Sequence, residues 1–380
     1  MQLKVISISD IHLGHPKVLP DVIHENLTET LYPQLDDQLD ILFIVGDFFD
    51  GLLDMNGQAG WISYRIIAEL IELAKQHKFY IRVVRGTFSH DRMQNQFFLT
   101  EKVPSYLKDD LLVRVFDTVS IEHIKSLDIN VMYIPDDLPC NDALTVVKDK
   151  LAEAHLSNVD FILNHGYFQH MLPSGIPHEP PNTFRAEDFD QLVTGAVFNG
   201  HIHQPSVYRK VISNGSFERL NHGEEEPKGF FVIYYDSDTK EIEHDFHENT
   251  RATTFKTFDL TRWRTEHEVL TEYGKWLDKL IAEDKSTSNN IFIRIVSDDP
   301  VLKQAVLTYT RNKGDNLILS TKPSNAKSKE DSSEDIETST IDLPVITETN
   351  LSGMVCEFLS VVKNVDMSIK EIEGVLNDGS

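Results

Sequence analysis

Apolar and polar positions along the chain alternate between two periods. Leu3–Ile8 is an apolar, β-favouring run, and Ile41–Val45 sets five apolar residues in a row, three of them β-branched. Such runs predict strands buried on both faces. Asp40 and Gly46 bound the second run, and Tyr80–Val84 makes a third. Between them the period changes to that of a helix. Leu19 to Leu35 reads as a first crossover helix. Trp61 to Lys78 places Trp61, Ile62, Ile66, Ile67, Leu70 and Leu73 on one face that should pack on a sheet. Strand, helix, strand, helix, strand predicts an α/β fold with parallel βαβ units, whose strand C-termini share one edge.

Further along, Leu111–Phe116, Val119–His123 and Ile129–Ile134 read as short strands, and Ala143–His155 as a helix. Val159–Leu163, Ala196–Phe198, Val207–Ile212 and Phe230–Tyr235 read as further strands. Met171–Asn182 holds Pro173, Pro177, Pro180 and Pro181, which predicts an irregular loop. Near Arg251 the texture changes. Phe255–Leu260, Glu266–Ile281, Ile291–Val296, Pro300–Thr310 and Leu317–Ser320 alternate strand and helix and predict a small α+β unit. Thr321 to about Asp342 is Ser-, Lys- and acid-rich without apolar period, the pattern of a flexible linker. Two short amphipathic stretches follow, Leu351 to Val362 and Ile369 to Leu376. Val355, Phe358, Leu359 and Val362 form one apolar stripe that calls for a partner surface. There is no internal repeat.

Composition narrows the function. With 380 residues, 40% hydrophobic, the chain can build a large core and more than one domain. No apolar run approaches membrane-spanning length, and Met1 leads straight into a strand pattern, so no export signal or membrane role is expected. Two cysteines, Cys140 and Cys356, are too few for a disulfide framework. Sixteen histidines make His/Asp metal chemistry in a reducing, cytoplasmic compartment the better expectation. A net charge of −25 argues against an unspecific DNA-binding surface, so a nucleic-acid substrate would need bound cations and local Lys or Arg groups.

The chemistry sits where the strands end. Asp10 and His12 follow the first strand, and Asp47 and Asp50 the second. Ser89, His90 and Asp91 follow the third, with His165 after Val159–Leu163 and His201 and His203 after Ala196–Phe198. Ligands bind at this edge of α/β sheets. Any one of these residues alone reads as a cap, a turn or a surface histidine. Their joint placement reads as one metal site. Imidazole and carboxylate donors without thiolates suit Mn, Fe or Zn. Asp47 is the best-placed carboxylate to bridge two cations, which would clamp the attacking and leaving oxygens of a phosphoryl displacement.

In this order, Asp10-Ile11-His12, Gly46-Asp47-Phe48-Phe49-Asp50, Ser89-His90-Asp91, Asn164-His165-Gly166 and Gly200-His201-Ile202-His203 resemble the calcineurin-like metallophosphoesterase superfamily over the first two-thirds of the chain. Gly215-Ser216-Phe217-Glu218-Arg219-Leu220, Gly223-Glu224-Glu225 and Lys228-Gly229-Phe230 are similar to the SbcD-type subunit of the DNA double-strand-break repair nuclease. The resemblance implies a β-sandwich flanked by helices (α/β/β/α, four layers) over residues 1–250, a DNA-capping domain over 251–321, a linker over 322–342, and a tail over 343–380 that docks an SbcC-like coiled-coil ATPase. It also implies two Mn2+, with Mg2+, Fe2+ or Zn2+ as alternatives. Asp10, His12, Asp47 and His203 would hold one. Asp47, His165, His201 and Ser89 would hold the other, Ser89 standing where the family has Asn. His90 would be the catalytic acid, oriented by Asp91. Homodimerisation would use Trp61 to Lys78 and Gln94–Leu99, with Phe97 and Phe98. Two other readings stand beside it. One is a phosphomonoesterase or cyclic-nucleotide phosphodiesterase of the same superfamily. The other is a catalytically weak scaffold for DNA ends or the ATPase.

Overall fold

A computed structural model describes residues 1–54, 56–99, 112–136, 143–172, 180, 183–288 and 290–323. Most of the proline-rich stretch, the linker beyond 323 and both C-terminal amphipathic stretches lie outside the described residues. The fold is mixed α/β. One six-stranded sheet has the order β12-β11-β1-β2-β3-β4. Its strands are β1 (Gln2–Ile8), β2 (Leu39–Val45), β3 (Tyr80–Val84), β4 (Val113–Phe116), β11 (Gly229–Asp236) and β12 (Ile242–Glu248). A second has the order β5-β6-β7-β8-β10-β9. It contains β5 (Ser120–Ile124), β6 (Ile129–Ile134), β7 (Val159–His165), β8 (Val193–Gly200), β9 (Ser206–Tyr208) and β10 (Val211–Ser213). In each sheet four consecutive strands, β1 to β4 or β6-β7-β8-β10, run parallel; antiparallel pairing adds β11 and β12 at one side of the first sheet and β5 and β9 at the two sides of the second.

Period-two alternation explains why both faces of β2 are apolar. Ile41, Phe43 and Val45 point into a core shared with Val131, Tyr133, Phe161, Leu163 and Phe198 of the other sheet. Leu42 and Ile44 point the other way, against Ile23 of α1 (Pro20–Asn26) and Ile66, Ile67 and Leu70 of α2 (Gln58–His77). Each such side chain contributes about 1.5–3 kcal/mol by leaving water. The outer face of the second sheet is covered in the same way. Met132, Ile162 and Val197 pack with Val147 and Leu151 of an eleven-residue helix, Ala143–Glu153.

A third, parallel sheet has the order β13-β14-β15: β13 (Thr254–Asp259), β14 (Ile291–Val296) and β15 (Leu317–Lys322). Its own core joins Ile293 and Ile295 to Val269, Tyr273 and Leu277 of the helix Glu266–Glu283 and to Val306 of the helix Pro300–Arg311. Both helices start on side-chain caps. Thr265 accepts from the Glu268 N–H and donates to its carboxylate, and Asp299 accepts from Val301 and Leu302. Among the described residues no helix is long and apolar enough to cross a membrane.

Several expectations change. Asp40 does not bound β2. It is a bulge within it, where the register against β1 shifts, and its carboxylate accepts the Lys4 N–H at 2.8 Å. Val207–Ile212 is not one strand but a hairpin, β9 to β10, turning at Arg209 with φ of 55°. Trp61 is not on the packed face of α2, because its side chain is 61% exposed. Phe98, expected to line a dimer surface, is buried in the core beside Phe48, and Phe97 packs half-buried against Tyr64.

Candidate metal centre

Three pairs of strand ends meet at one edge because glycines let them. A Cβ on Gly46 would lie 2.1 Å from His165 Nδ1, one on Gly200 would lie 2.2 Å from the Val45 carbonyl, and one on Gly86 would lie 2.2 Å from the Asp47 carboxylate. No side chain fits at any of the three, so the loops after β2, β3, β7 and β8 close onto each other. The backbone is strained at the same place. Asp10, His12, Asp47 and His201 have φ of 51°, 52°, 48° and 86°. Left-handed conformations cost non-glycine residues about 1–3 kcal/mol each and collect at functional sites.

The strained segments converge. The Asp10 carboxylate accepts the His201 N–H on both oxygens, at 3.0 and 3.1 Å, tying the end of β1 to the end of β8. Among the described residues, three groups of side chains could hold a metal ion: Asp10, His12 and His203; Asp47, His165 and His201; and His12, Asp50 and His90. Asp47 lies between the first two groups. Its Oδ2 is 3.2 Å from His165 Nε2 and 3.9 Å from His12 Nε2.

Proton positions follow from the outer partners. His165 Nδ1 faces the Val45 carbonyl at 2.9 Å, which can only accept, so Nδ1 carries a proton and Nε2, on the Asp47 side, is the nitrogen that a cation could take in exchange for its proton. That Nε2 is buried, and despite its nearness to Asp47 it has no partner in hydrogen-bond geometry. His12 Nδ1 faces Asp50 Oδ1 at 2.8 Å and His203 Nδ1 faces Glu224 Oε1 at 3.2 Å. Their Nε2 atoms are then turned toward each other at 3.2 Å. Nε2 atoms and carboxylate oxygens gathered about a shared point, with the rings of His12, His165 and His203 each steered at Nδ1 by a second acceptor, is the arrangement of metal-ligating histidines. The donor set therefore fits a metal, and its mix of imidazole and carboxylate fits Mn, Fe or Zn.

Electrostatics agree with a cation-seeking site. Burial alone would push the Asp47 carboxyl up, but His165, then His12 and His90, outweigh it and hold it well below the usual carboxylate range. Burial alone would lower His165, yet Asp47 raises it to about 10. Two electron-rich groups this close call for positive charge between them, and a proton is the smallest that answers. Burial, then the charge of His165, pushes His201 down to about 3, leaving a neutral imidazole.

Neither the family models nor the curated proteins contain a match to this sequence. Among solved structures, TT1561 of Thermus thermophilus is similar with a TM-score of 0.37 at 11% identity, over 65% of this chain and 100% of that one. Another gives a TM-score of 0.33 at 14% identity, with the same coverage. Likeness at this level carries no argument about fold or function.

Asp10, His12, Asp47, His165, His201 and His203 are thus brought together as expected, with His90 beside His12 at a ring separation of 4.9 Å. Ser89 is not. It is exposed on the one-turn helix Phe88–Asp91. The residue that reaches Asp47 is Thr87, whose N–H donates to Asp47 Oδ1 at 2.7 Å. Its hydroxyl lies 3.4 Å from Asp47 Oδ2 and 3.3 Å from His201 Nδ1. Counting forward from Gly86, instead of back from His90, would have found it. Asp91 also differs from expectation. Its buried carboxylate accepts from the N–H groups of Asp47, Phe49 and Gly86 and from the Asn95 amide. It clamps two loops, and the carboxylate beside His90 is Asp50, at 3.6 Å. Glu224 and the fully buried Lys228 were legible only as parts of a motif. Lys228 bonds Glu224 at 3.1 Å and the His203 carbonyl at 2.9 Å, which fixes the loop bearing His203.

Proposed function

We propose that this chain is a metal-dependent phosphodiesterase that cleaves DNA ends, of the SbcD type, built on the four-layer sandwich of the metallophosphoesterases. The observation that carries the reading is Asp47, whose Oδ2 faces His165 on one side and His12 on the other, between two groups of donors. Asp10, His12, Asp47 and His203 would hold one cation, and Asp47, His165 and His201 a second, with the Thr87 hydroxyl at hand in place of Ser89. Mn2+ is the favoured ion, with Mg2+, Fe2+ or Zn2+ as alternatives. Bound there, the cations supply Lewis-acid polarisation and offset phosphate charge.

The chain's own groups do the rest. His90 is half-buried at the mouth of the site with Asp50 at its Nδ1 side, placed to donate a proton to the leaving oxygen. Asp50 also holds His12, so one carboxylate orients a ligand and the acid. The Asp91 clamp keeps the loops after β2 and β3 in register. Glu224 and Lys228 do the same for His203. The substrate class rests on the SbcD-type runs from Gly215 to Phe230, in which Ser216 donates from N to the His203 carbonyl and Phe217 to the Asp10 carbonyl. An SbcC-like coiled-coil ATPase would dock the apolar stripe at Val355 to Val362, and exposed Trp61 on α2 would serve a homodimer. A cytoplasmic, reducing setting suits a chain with two cysteines and thiolate-free metal chemistry.

The test is cleavage of linear duplex, hairpin DNA and a small phosphate ester with and without Mn2+. Both DNAs should be cut, and EDTA should stop it. Hydrolysis of the ester alone would make the chain a phosphomonoesterase or cyclic-nucleotide phosphodiesterase. No hydrolysis of any would make it a scaffold.

A further inference from the structure

The loop bearing His90 carries a large apolar side chain that the site does not use. Phe88 stands between Thr87, which holds Asp47, and His90, yet its ring is 42% exposed. Its backbone is fixed: His90 and Asp91 donate to the Thr87 carbonyl, and Arg92 to that of Phe88, each at 3.0 Å. The guanidinium carbons of Arg85 and Arg92 lie 5.7 and 5.5 Å from the ring centre. Arg92 is exposed as well. A chain of net charge −25 therefore keeps two cations at this rim, beside an aromatic ring. Apolar neighbours extend the rim. Leu52 and Met93 are 77% and 53% exposed, on segments joined by Gly51 N–H to the His90 carbonyl at 3.0 Å and Leu53 N–H to Gln94 at 2.8 Å.

We infer that Phe88 stacks a nucleobase of the DNA strand next to the phosphate being cleaved, with Arg92 taking a flanking phosphate. An aromatic face and a guanidinium side by side form the pairing that grips unpaired strands. Stacking tolerates any sequence because every base has a π face, and the charge follows the backbone. Phe88 and His90 share the one-turn helix Phe88–Asp91, so a base stacked on the ring belongs to the strand that reaches the site. The inference rests on the nuclease reading of the same site.

The full chain with Mn2+ is assayed on a single-stranded oligonucleotide carrying 2-aminopurine and on bis(p-nitrophenyl) phosphate, in wild type, Phe88→Ala and Phe88→Trp. The ratio of oligonucleotide to small-ester kcat/KM should fall roughly ten-fold in Phe88→Ala, mostly through KM, and return in Phe88→Trp. The 2-aminopurine fluorescence change on binding should vanish with the ring. An unchanged ratio, or equal losses on both substrates, would overturn the inference and leave Phe88 a structural part of the loop. Wild type that hydrolyses the ester and neither binds nor cuts the oligonucleotide would overturn the nuclease reading, and the inference with it.

Discussion

Removing the Asp91 carboxylate separates two accounts of the His90 loop. As the partner of His90, Asp91 would matter for activity and little for stability. As the clamp seen here, it matters for both. It is fully buried and accepts four hydrogen bonds, from Asp47 N at 3.1 Å, Phe49 N at 3.1 Å, Gly86 N at 2.7 Å and Asn95 Nδ2 at 2.8 Å. Asp91→Ala leaves all four donors without an acceptor. At about 1 kcal/mol each, the low end for an unsatisfied buried group, the loss is about 4 kcal/mol. Relief of the carboxylate's own desolvation works against it and leaves a net loss of about 2–4 kcal/mol. Asp91→Asn can keep its oxygen toward Asp47, Gly86 and Asn95 and turns its amide toward the Phe49 N–H. One acceptor is lost, for about 1–3 kcal/mol. Urea unfolding in EDTA measures both without a contribution from metal. The expected order of stability is wild type, then Asn, then Ala. An Asp91→Asn midpoint equal to that of wild type, with activity lost, would refute the clamp and restore the partner role.

His90→Ala should keep its metal content and lose about 100-fold or more in DNA cleavage, the usual size of a lost general acid; loss of metal would make His90 a ligand. Thr87→Val keeps the N–H that holds Asp47 and deletes the hydroxyl, so Mn2+ affinity of one site should fall roughly 10-fold by calorimetry, whereas Ser89→Ala should change nothing. Acid stability should depend on Glu122, which pairs with the buried Arg82 at 2.7 and 2.9 Å and accepts from Tyr133 at 2.8 Å. Burial alone would raise Glu122, but Arg82 and Tyr133 hold it below the ordinary glutamate range. The unfolded chain then binds the extra proton, so this stabilisation is complete above about pH 4.3 and drains as pH falls through the lower folded value. Glu122→Gln should be less stable at pH 7 and should lack that part of the acid slope; an unchanged slope by thermal melts from pH 6 to 3 would contradict it.

Buried structure was legible because it obeys a simple period. Tyr80–Val84 and Ile291–Val296 are strands with the boundaries their apolar runs predict, and Arg82 does not interrupt the first because Glu122 neutralises it. Two elements at sheet edges were not legible. β12 reads Ile-Glu-His-Asp-Phe-His-Glu, with two apolar residues, Ile242 and Phe246, among five polar ones, so its pattern resembles a loop even though His244 and His247 also meet core phenylalanines. The β9–β10 hairpin turns at Arg209 in a left-handed conformation without glycine or asparagine to announce it. In the site, residues that end buried strands could be found from order alone. The loop after β3 could not be placed in register, because sequence does not say which of Thr87 and Ser89 stands beside Asp47. Glu224 and Asp50 act on histidines 21 and 38 positions away, and no local pattern signals a contact at that range.

Metal stoichiometry and cleavage measured together in the same preparation test the central claim, that Asp47 joins two cations into one phosphodiesterase site. Apo protein is titrated with Mn2+, bound metal is counted by mass spectrometry, and duplex cleavage is followed at each step. The account predicts two Mn2+ per wild-type chain, cleavage that rises as the second is bound, and Asp47→Ala protein that folds, binds at most one and does not cut. Two bound Mn2+ with full cleavage in Asp47→Ala, or a fully loaded wild type that cleaves no phosphodiester, would contradict it.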